Sequence, residues 1–270
     1  MESTSGMLYD EAFFARHTDL QSARIIVPHV LRKVRPNSVV DVGCALGAWL
    51  RVFSEHGVQI VQGLDGDYVD RSQLLIKTTD FTPVNLTESI KGDLGPVTGK
   101  ANGRYDLAIC LEVAEHLPDS SASDLVRTLT TLAPVVLFSA AVPGQGGVGH
   151  INEQWPGYWK SRFQKHGFQR LDLIRRRIWR DGRVHWWYRR NIFLFAAPEK
   201  VAESDLLRDE EELAALAVLY IHCLNRLRKL KRGMIEIPRA MLNAMKNQLP
   251  RQARLQRKAE RFRSYASKNR

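Results

Sequence analysis

The sequence predicts an α/β fold in which a seven-stranded, mostly parallel sheet carries helices on both faces and ends in an antiparallel pair. Three observations predict it. From residue 38 onward, short β-branched or apolar runs alternate with helix-like segments, the rhythm of parallel strands joined by crossover helices. The first run ends in a glycine-containing turn that opens a helix. Beyond Phe168 the pattern changes to two extended segments joined by Asp181-Gly182, a dipeptide typical of hairpin turns.

Residues 8–35 read as helical, with Leu20, Ile25 and Val27 set among charges and Pro28 forcing a break or kink. Ser38-Val39-Val40-Asp41-Val42 reads as the first strand, and residues 48–56 as a helix closed by Gly57. Val58 to Leu64 forms the second strand, ending at Asp65, and a weaker run spans Phe81–Leu86. Tyr105–Leu111 and Pro134–Ala140 supply two more. The extended segments 168–180 and 184–197 complete the sheet. After Pro198 the composition shifts: Ser204-Asp205 followed by Leu206, Leu207, Leu213 and Leu216 predicts a capped helix over 200–232. Two domains are therefore expected, 1–198 and a helical, basic extension over 199–270 that loses its order after about residue 251.

At 270 residues, 44% hydrophobic and 26% charged, the chain can bury a real core, which excludes a disordered or disulfide-stapled protein. Cys44, Cys110 and Cys223 form no CxxC pair and suit a reducing compartment. The polar N-terminus predicts no signal peptide, and the longest apolar runs are too short for a bilayer span. A cytoplasmic location is the expectation. The net charge of +11 is unevenly placed. Residues 221–270 carry 15 Lys or Arg against Glu236 and Glu260, a charge of +13, while the preceding 220 residues stand at −2. A basic strip on a near-neutral domain can act apart from the catalytic face.

In an open parallel sheet, ligands bind beyond the carboxyl ends of the strands where the strand order reverses. Asp41-Val42-Gly43-Cys44-Ala45-Leu46-Gly47 lies at such an end. Gly43 and Gly47 let the backbone approach a ligand, and Asp65 is placed to accept hydrogen bonds from a pair of hydroxyls. The G-x-x-x-G spacing departs from the dinucleotide pattern G-x-G-x-x-G. It resembles instead the D-x-G-x-G-x-G loop of class I S-adenosylmethionine-dependent methyltransferases, with Ala45 in place of the middle glycine. Gly63-Leu64-Asp65-Gly66-Asp67, the 81–86 segment, the strand Tyr105–Glu112 and the terminal pair agree with that resemblance over residues 20–197.

The resemblance implies a Rossmann-like domain with S-adenosyl-L-methionine as cofactor. It places the amino acid end of the cofactor at the Gly43–Gly47 loop with Asp41 and Cys44, the ribose at Asp65 and Gly66, and the adenine at Asn85 and Leu86, with Leu111 at the end of the fourth strand. The family more often has Asp where this chain has Asn85. Ordinary turn glycines and a solvated loop acid are the plainer alternative.

Directly after the fourth strand comes Glu112-Val113-Ala114-Glu115-His116. If a helical turn begins there, Glu112, Glu115 and His116 share one face and form part of a shell for Mg²⁺, Mn²⁺ or Zn²⁺, with His150 of the Gly-rich loop 143–150 as a fourth ligand. The E-x-x-E-H followed by a later His is similar to the metal-binding set of small-RNA 3′-terminal 2′-O-methyltransferases and ubiquinone-pathway O-methyltransferases. That likeness implies a metal holding two neighbouring hydroxyls and activating one. Metal-free catalysis, with His116 or His150 as base beside Glu112, and a structural role stay open.

Trp155, Tyr158 and Trp159, then Trp179, Trp186, Trp187 and Tyr188, supply either a stacking wall for an acceptor or ordinary packing. Arg175–Arg177 and Arg189-Arg190, expected on the two terminal strands, face either an anionic acceptor or solvent. Three functions compete: O-methylation of a sugar-like small molecule, RNA 2′-O-methylation with the tail tracking the phosphate backbone, and a methyltransferase-like scaffold whose tail binds an acidic partner or an anionic membrane surface. The tail has only Phe262 and Tyr265 as aromatics, which favours the first. Removing residues 221–270 is expected to leave turnover of a small acceptor unchanged. The same truncation should abolish salt-sensitive binding to RNA or anionic vesicles, as read by titration over a range of salt concentrations.

Overall fold

The computed structural model describes residues 20–87 and 104–203. The expected helix over 200–232, the disorder after 251, the basic tail, Cys223 and residues 8–19 of the first helical segment lie wholly or mostly outside them. Helix α1 (Leu20–Val34) leads into β1 (Ser38–Val42), α2 (Ala48–Glu55), β2 (Ile60–Asp65) and β3 (Phe81–Pro83). Then follow β4 (Leu107–Leu111), α3 (Ala122–Leu132), β5 (Val135–Ser139), α4 (Pro156–Lys165), β6 (Gln169–Leu171), α5 (Arg175–Ile178), α6 (Trp186–Asn191), β7 (Phe193–Ala196) and α7 (Pro198–Glu203).

The seven strands form one sheet in the order β3-β2-β1-β4-β5-β7-β6. Strands β1 to β5 are parallel, and β7 runs antiparallel to both β5 and β6. Every residue of β1, β4 and β5 is buried, as central strands covered on both faces require, and their mostly apolar composition follows from that, with Ser38, Asp41 and Ser139 the polar exceptions. On one face, Phe163 stacks on Phe195 with ring centroids 3.9 Å apart, and Phe138 meets Trp159 at 5.1 Å. Each such side chain contributes roughly 1.5–3 kcal/mol of apolar burial. Helix α1 buries Ala23, Ile26, Val27 and Val30, and α2 buries Leu50 and Phe53.

Pro28 does not end α1. The helix runs continuously from Leu20 to Val34, because the buried stripe at 23, 26, 27 and 30 holds both halves.

The terminal antiparallel pair exists, but Asp181-Gly182 does not make its turn. Register pairs Gln169 with Ala196 and Leu171 with Leu194, so the strands are far shorter than the extended segments predicted. Between them the chain folds into α5 and α6. Asp172 pairs with Arg175 and Arg176 of α5, while Asp181 Oδ1 accepts a bond from the Arg183 N–H at 3.1 Å and closes a local turn. Ile174, Ile178 and Val184 are buried beneath them. Arg175–Arg177 and Arg189-Arg190 therefore sit on short helices, not strands. Arg176, Arg177 and Arg190 are exposed.

Strand order reverses between β1 and β4, so the crevice of this sheet opens at the carboxyl ends of those two strands. Their opposite ends are tied by Asp106. Its Oδ2 accepts hydrogen bonds from the N–H groups of Asn37 and Ser38 at 2.8 and 2.9 Å and from Ser38 Oγ at 3.0 Å. Among the described residues no helix is long and apolar enough to cross a membrane. Asp106→Ala strips three donors of one carboxylate and is expected to lower stability by about 1–3 kcal/mol. A urea titration with a shifted midpoint and unchanged slope checks this.

Candidate functional site

Five loops meet at the carboxyl ends of β1, β2, β4, β5 and β3. The first, Gly43–Gly47, needs left-handed backbone at alternate positions: φ is 84° at Gly43, 47° at Ala45 and 79° at Gly47. A methyl group at Gly43 would stand 2.3 Å from Val113 Cγ2, so glycine lets this loop pass close to the one after β4. At Ala45, where the methyltransferase pattern has its middle glycine, the strain is accepted and the N–H donates to Asp65 Oδ2 at 2.7 Å. Asp65 Oδ1 in turn accepts from the Gly66 N–H and from Tyr68 Oη, at 2.7 and 2.5 Å.

Burial raises the pKa of Asp65, opposed by those three hydrogen bonds. Asp41, inside β1, is raised well above the usual carboxylate range by burial and by the neighbouring Asp65 charge. Cys44 is buried beside them, and burial pushes its thiol up. Leu111 is buried at the end of β4. Asn85 is exposed, and its Oδ1 accepts from the N–H and hydroxyl of Thr87 in a local turn; Leu86 packs partly buried against the core.

The acidic segment after β4 departs from the expected helical face. Glu112 is left-handed at φ 55°, and the short 3-10 helix begins only at Ala114. Glu115 and His116 are brought together with His150, one ligand atom of each lying within 4.8 Å of the other two. Glu112 is not a member of that group. Its Oε2 accepts from Gln145 Nε2 at 2.8 Å, and Gln145 Oε1 accepts from Asn191 Nδ2 at 2.7 Å. A helical repeat starting at Glu112 would put Glu112, Glu115 and His116 on one face, with His150 joining from the Gly-rich loop; the left-handed residue breaks that repeat.

Glu115 is fully buried; its own N–H, that of Ala141 and the Glu112 carboxyl lie beside its carboxylate, though no donor among the described residues reaches it at full hydrogen-bond geometry. Its Oε1 lies 4.0 Å from His150 Nε2. Burial raises its pKa well above the ordinary value, and the Glu112 charge raises it further; burial also raises Glu112. The His116 and His150 rings stand edge-on at 4.9 Å. The Gly-rich loop is fastened through the Glu115 carbonyl, which accepts the N–H groups of Ile151 and Asn152 at 2.9 and 3.0 Å.

Of the aromatic residues, Trp159 belongs to the core, while Trp155 is 61% exposed beside the Gly-rich loop. Tyr158 hydrogen-bonds Asp119, carries the Arg162 guanidinium 3.5 Å above its ring, and has its hydroxyl pushed up to about 12, first by burial. Trp187 stacks on His185, and Tyr188 meets the edge of Trp49 at 5.3 Å, which seats α6 against the start of α2. Gln145, Asn191 and Glu153 complete the site without having been singled out in sequence. Only the polar character of the Gly-rich loop hinted at two of them.

The profile of a family described as a methyltransferase domain matches residues 14–190. No curated protein matches. Among solved structures the chain is similar to DesVI of Streptomyces venezuelae, at 13% identity and TM-score 0.50 over 73% of this chain and all of that one. It is similar also to magnesium protoporphyrin IX methyltransferase of Synechocystis, at 18% identity and TM-score 0.48 over 71% and 91% of the two chains. An O-methyltransferase family protein of Burkholderia thailandensis matches at 11% identity and TM-score 0.48, over 72% of this chain and 62% of that one. The chain spans only about three fifths of the first O-methyltransferase structures it resembles.

The Asp41 shift sets a sign. A buried carboxyl with a raised folded value keeps its proton at pH values where the unfolded chain has released it, so unfolding sheds protons and stability falls as pH rises through that window. Below the unfolded value of about 4 the penalty vanishes, and above the folded value it is constant. In Asp41→Asn the decline is absent. The melting temperature of the variant relative to the parent chain should therefore climb as pH rises from about 4, and a difference independent of pH would refute the assignment.

Proposed function

The chain belongs to the methyltransferase-domain family, of the class I S-adenosylmethionine-dependent type, and from that premise we propose that it is an O-methyltransferase acting on a hydroxylated, sugar-like small molecule with the help of a divalent cation. The observation that carries this reading is Glu115: a fully buried carboxyl whose oxygens meet no donor at full hydrogen-bond geometry, grouped with two imidazoles. Keeping such a carboxyl ionised in a dry interior costs several kcal/mol, on the order of the desolvation of one ion. A cation such as Mg²⁺ or Mn²⁺ held by Glu115, His116 and His150 would repay that penalty. Glu112 stands behind as a carboxylate tied to Gln145 rather than as a ligand.

The cofactor side fits its group as well. The left-handed loop at Gly43 and Gly47 leaves no room for side chains, since a Cβ would strike Val113 or Ile76, and it offers backbone to the amino acid end. A carboxylate has about four acceptor sites. Asp65 uses three, so one is left for a ribose hydroxyl, with Gly66 beside it. Leu86 offers apolar surface to the adenine, whereas Asn85 is engaged in its own turn.

S-adenosylmethionine supplies an electrophilic methyl group, and a divalent cation supplies Lewis acidity to the acceptor hydroxyl. The chain does the rest. His150 and Glu115 orient one hydroxyl of a neighbouring pair toward the cofactor loop, which turns an encounter into an aligned displacement. Glu112, beside Glu115 but outside the cation's shell, is raised by burial and held by Gln145, so it is the carboxyl that can take the departing proton. The Gly-rich loop, anchored on the Glu115 carbonyl, excludes water from above. RNA as acceptor is the second reading, and the charge of +13 over residues 221–270 is what favours it.

EDTA is expected to abolish methyl transfer and Mn²⁺ or Mg²⁺ to restore it. Glu115→Gln and His150→Ala should each lower kcat by roughly a hundredfold or more while leaving the affinity for S-adenosylhomocysteine unchanged. Turnover indifferent to EDTA would move the reading to metal-free base catalysis by His150.

A further inference from the structure

Glu153 is remote from the acidic segment in sequence and has no part in the mechanism above, yet it accepts more hydrogen bonds than any other carboxylate of the Gly-rich loop region. Its Oε2 accepts the Gly144 N–H at 2.7 Å. Its Oε1 accepts the Gly146 N–H at 2.8 Å and stands 3.0 Å from His150 Nδ1. Two of the loop's amides and the ring of its histidine are thus gathered on one side chain.

We propose that Glu153 is a positioning residue that fixes His150 as the Nδ1–H tautomer and so turns its Nε2 lone pair toward Glu115 and His116. A neutral imidazole has one donor and one acceptor nitrogen, and the partner of one decides the role of the other. A carboxylate can only accept, so Nδ1 must carry the proton, and Nε2 is left with its lone pair 4.0 Å from Glu115 Oε1. The loop backbone is shaped for this grip. Gly144 and Gly146 are left-handed, at φ 82° and 70°, with open space where a Cβ would stand. Their glycine character therefore serves the direction of the two amides rather than close packing. Gly147 serves packing: a Cβ there would stand 2.3 Å from His150 Nε2, so the backbone lies against the ring and keeps it from swinging away.

A glutamine cannot replace this side chain. With two acceptor oxygens, Glu153 satisfies all three donors. An amide has one acceptor and would present its NH₂ either to the Gly144 N–H or to the Gly146 and His150 side. An aspartate keeps both acceptors on a shorter stem. The inference deepens the reading of His150 given under Proposed function, and rests on it for its effect on catalysis, but the tautomer can be measured without turnover.

The experiment is a long-range ¹⁵N–¹H correlation spectrum of the full-length protein with labelled histidine, His150 being assigned from its His150→Gln variant, together with titrations of Mn²⁺ and of S-adenosylhomocysteine. The parent chain should show His150 protonated at Nδ1. Glu153→Ala should move the proton to Nε2 or mix the two forms, weaken Mn²⁺ binding by about 10–100-fold and leave S-adenosylhomocysteine affinity intact, the last showing that the variant is folded. Glu153→Asp should recover the Nδ1–H spectrum more fully than Glu153→Gln. A parent chain with the proton on Nε2, or an unaltered spectrum in Glu153→Ala, overturns the proposal. If the parent chain binds no Mn²⁺, the metal reading falls, and the tautomer spectrum still decides the part assigned to Glu153.

Discussion

The candidate site hangs on the backbone carbonyl of Glu115. It accepts the N–H groups of Ile151 and Asn152, and through them the loop after β5 is hung on the loop after β4. The loop after β4 is seated in the core by Ala114 and Leu117, whereas the loop after β5 is rich in glycine and depends on this tie. Because the carbonyl and carboxylate belong to one residue, the bond that positions the second loop also fixes the distance between Glu115 and His150. The carbonyl could not serve this way if the acidic segment were a full helix, whose carbonyls pair four residues on. The left-handed turn at Glu112 and the short 3-10 helix after it leave that carbonyl free to bind across the crevice.

The fold tolerates what this arrangement costs because the rest of the sheet is conventional. Asp41, Asp65, Glu112 and Glu115 are all raised by burial, a concentration of perturbed carboxyls of the kind found where function outweighs local stability. Behind them the sheet is uniformly apolar, with the Phe138, Phe163 and Phe195 stack on one face and α1 and α2 on the other. The same burial pushes the Cys44 and Cys110 thiols up, away from the thiolate form that a nucleophile needs.

What the sequence made legible follows the range of the interactions involved. Strands β1, β4 and β5 were readable because burial on both faces forces mostly apolar runs, and the Gly43–Gly47 loop because left-handed backbone favours glycine at its two ends. His150 was readable from the glycines around it. The segment between β6 and β7 was not, because Asp181-Gly182 carries the same composition whether it closes a hairpin or, as here, a side-chain turn between two helices. Spacing alone put Glu112 on the face of Glu115 and His116, and no local signal announced a positive φ at a glutamate. Asn191 was invisible for a different reason: its partner Gln145 is 46 residues away, and only the return of β7 beside β5 brings them together.

Charge explains why these acids converge. Among the described residues, the nitrogen side chain that approaches Glu115 is the His150 imidazole, and guanidinium groups pair with acids such as Asp172 and Asp181. Carboxyls raised by burial carry their charge most readily when a cationic ligand sits beside them, so a crevice lined by them ionises as it binds a cation. S-adenosylmethionine carries its positive charge on the sulfonium, and that charge is lost when the methyl group leaves. Under the proposed function, such a crevice would favour the charged cofactor over its neutral product before any contact with the acceptor is counted. A divalent cation at Glu115 would work against this preference. Separating the cation from the sulfonium is thus a requirement on the geometry, and the left-handed turn at Glu112, which sends that carboxylate to Gln145 and leaves Glu115 to the histidines, divides the acidic segment in the way such a separation needs.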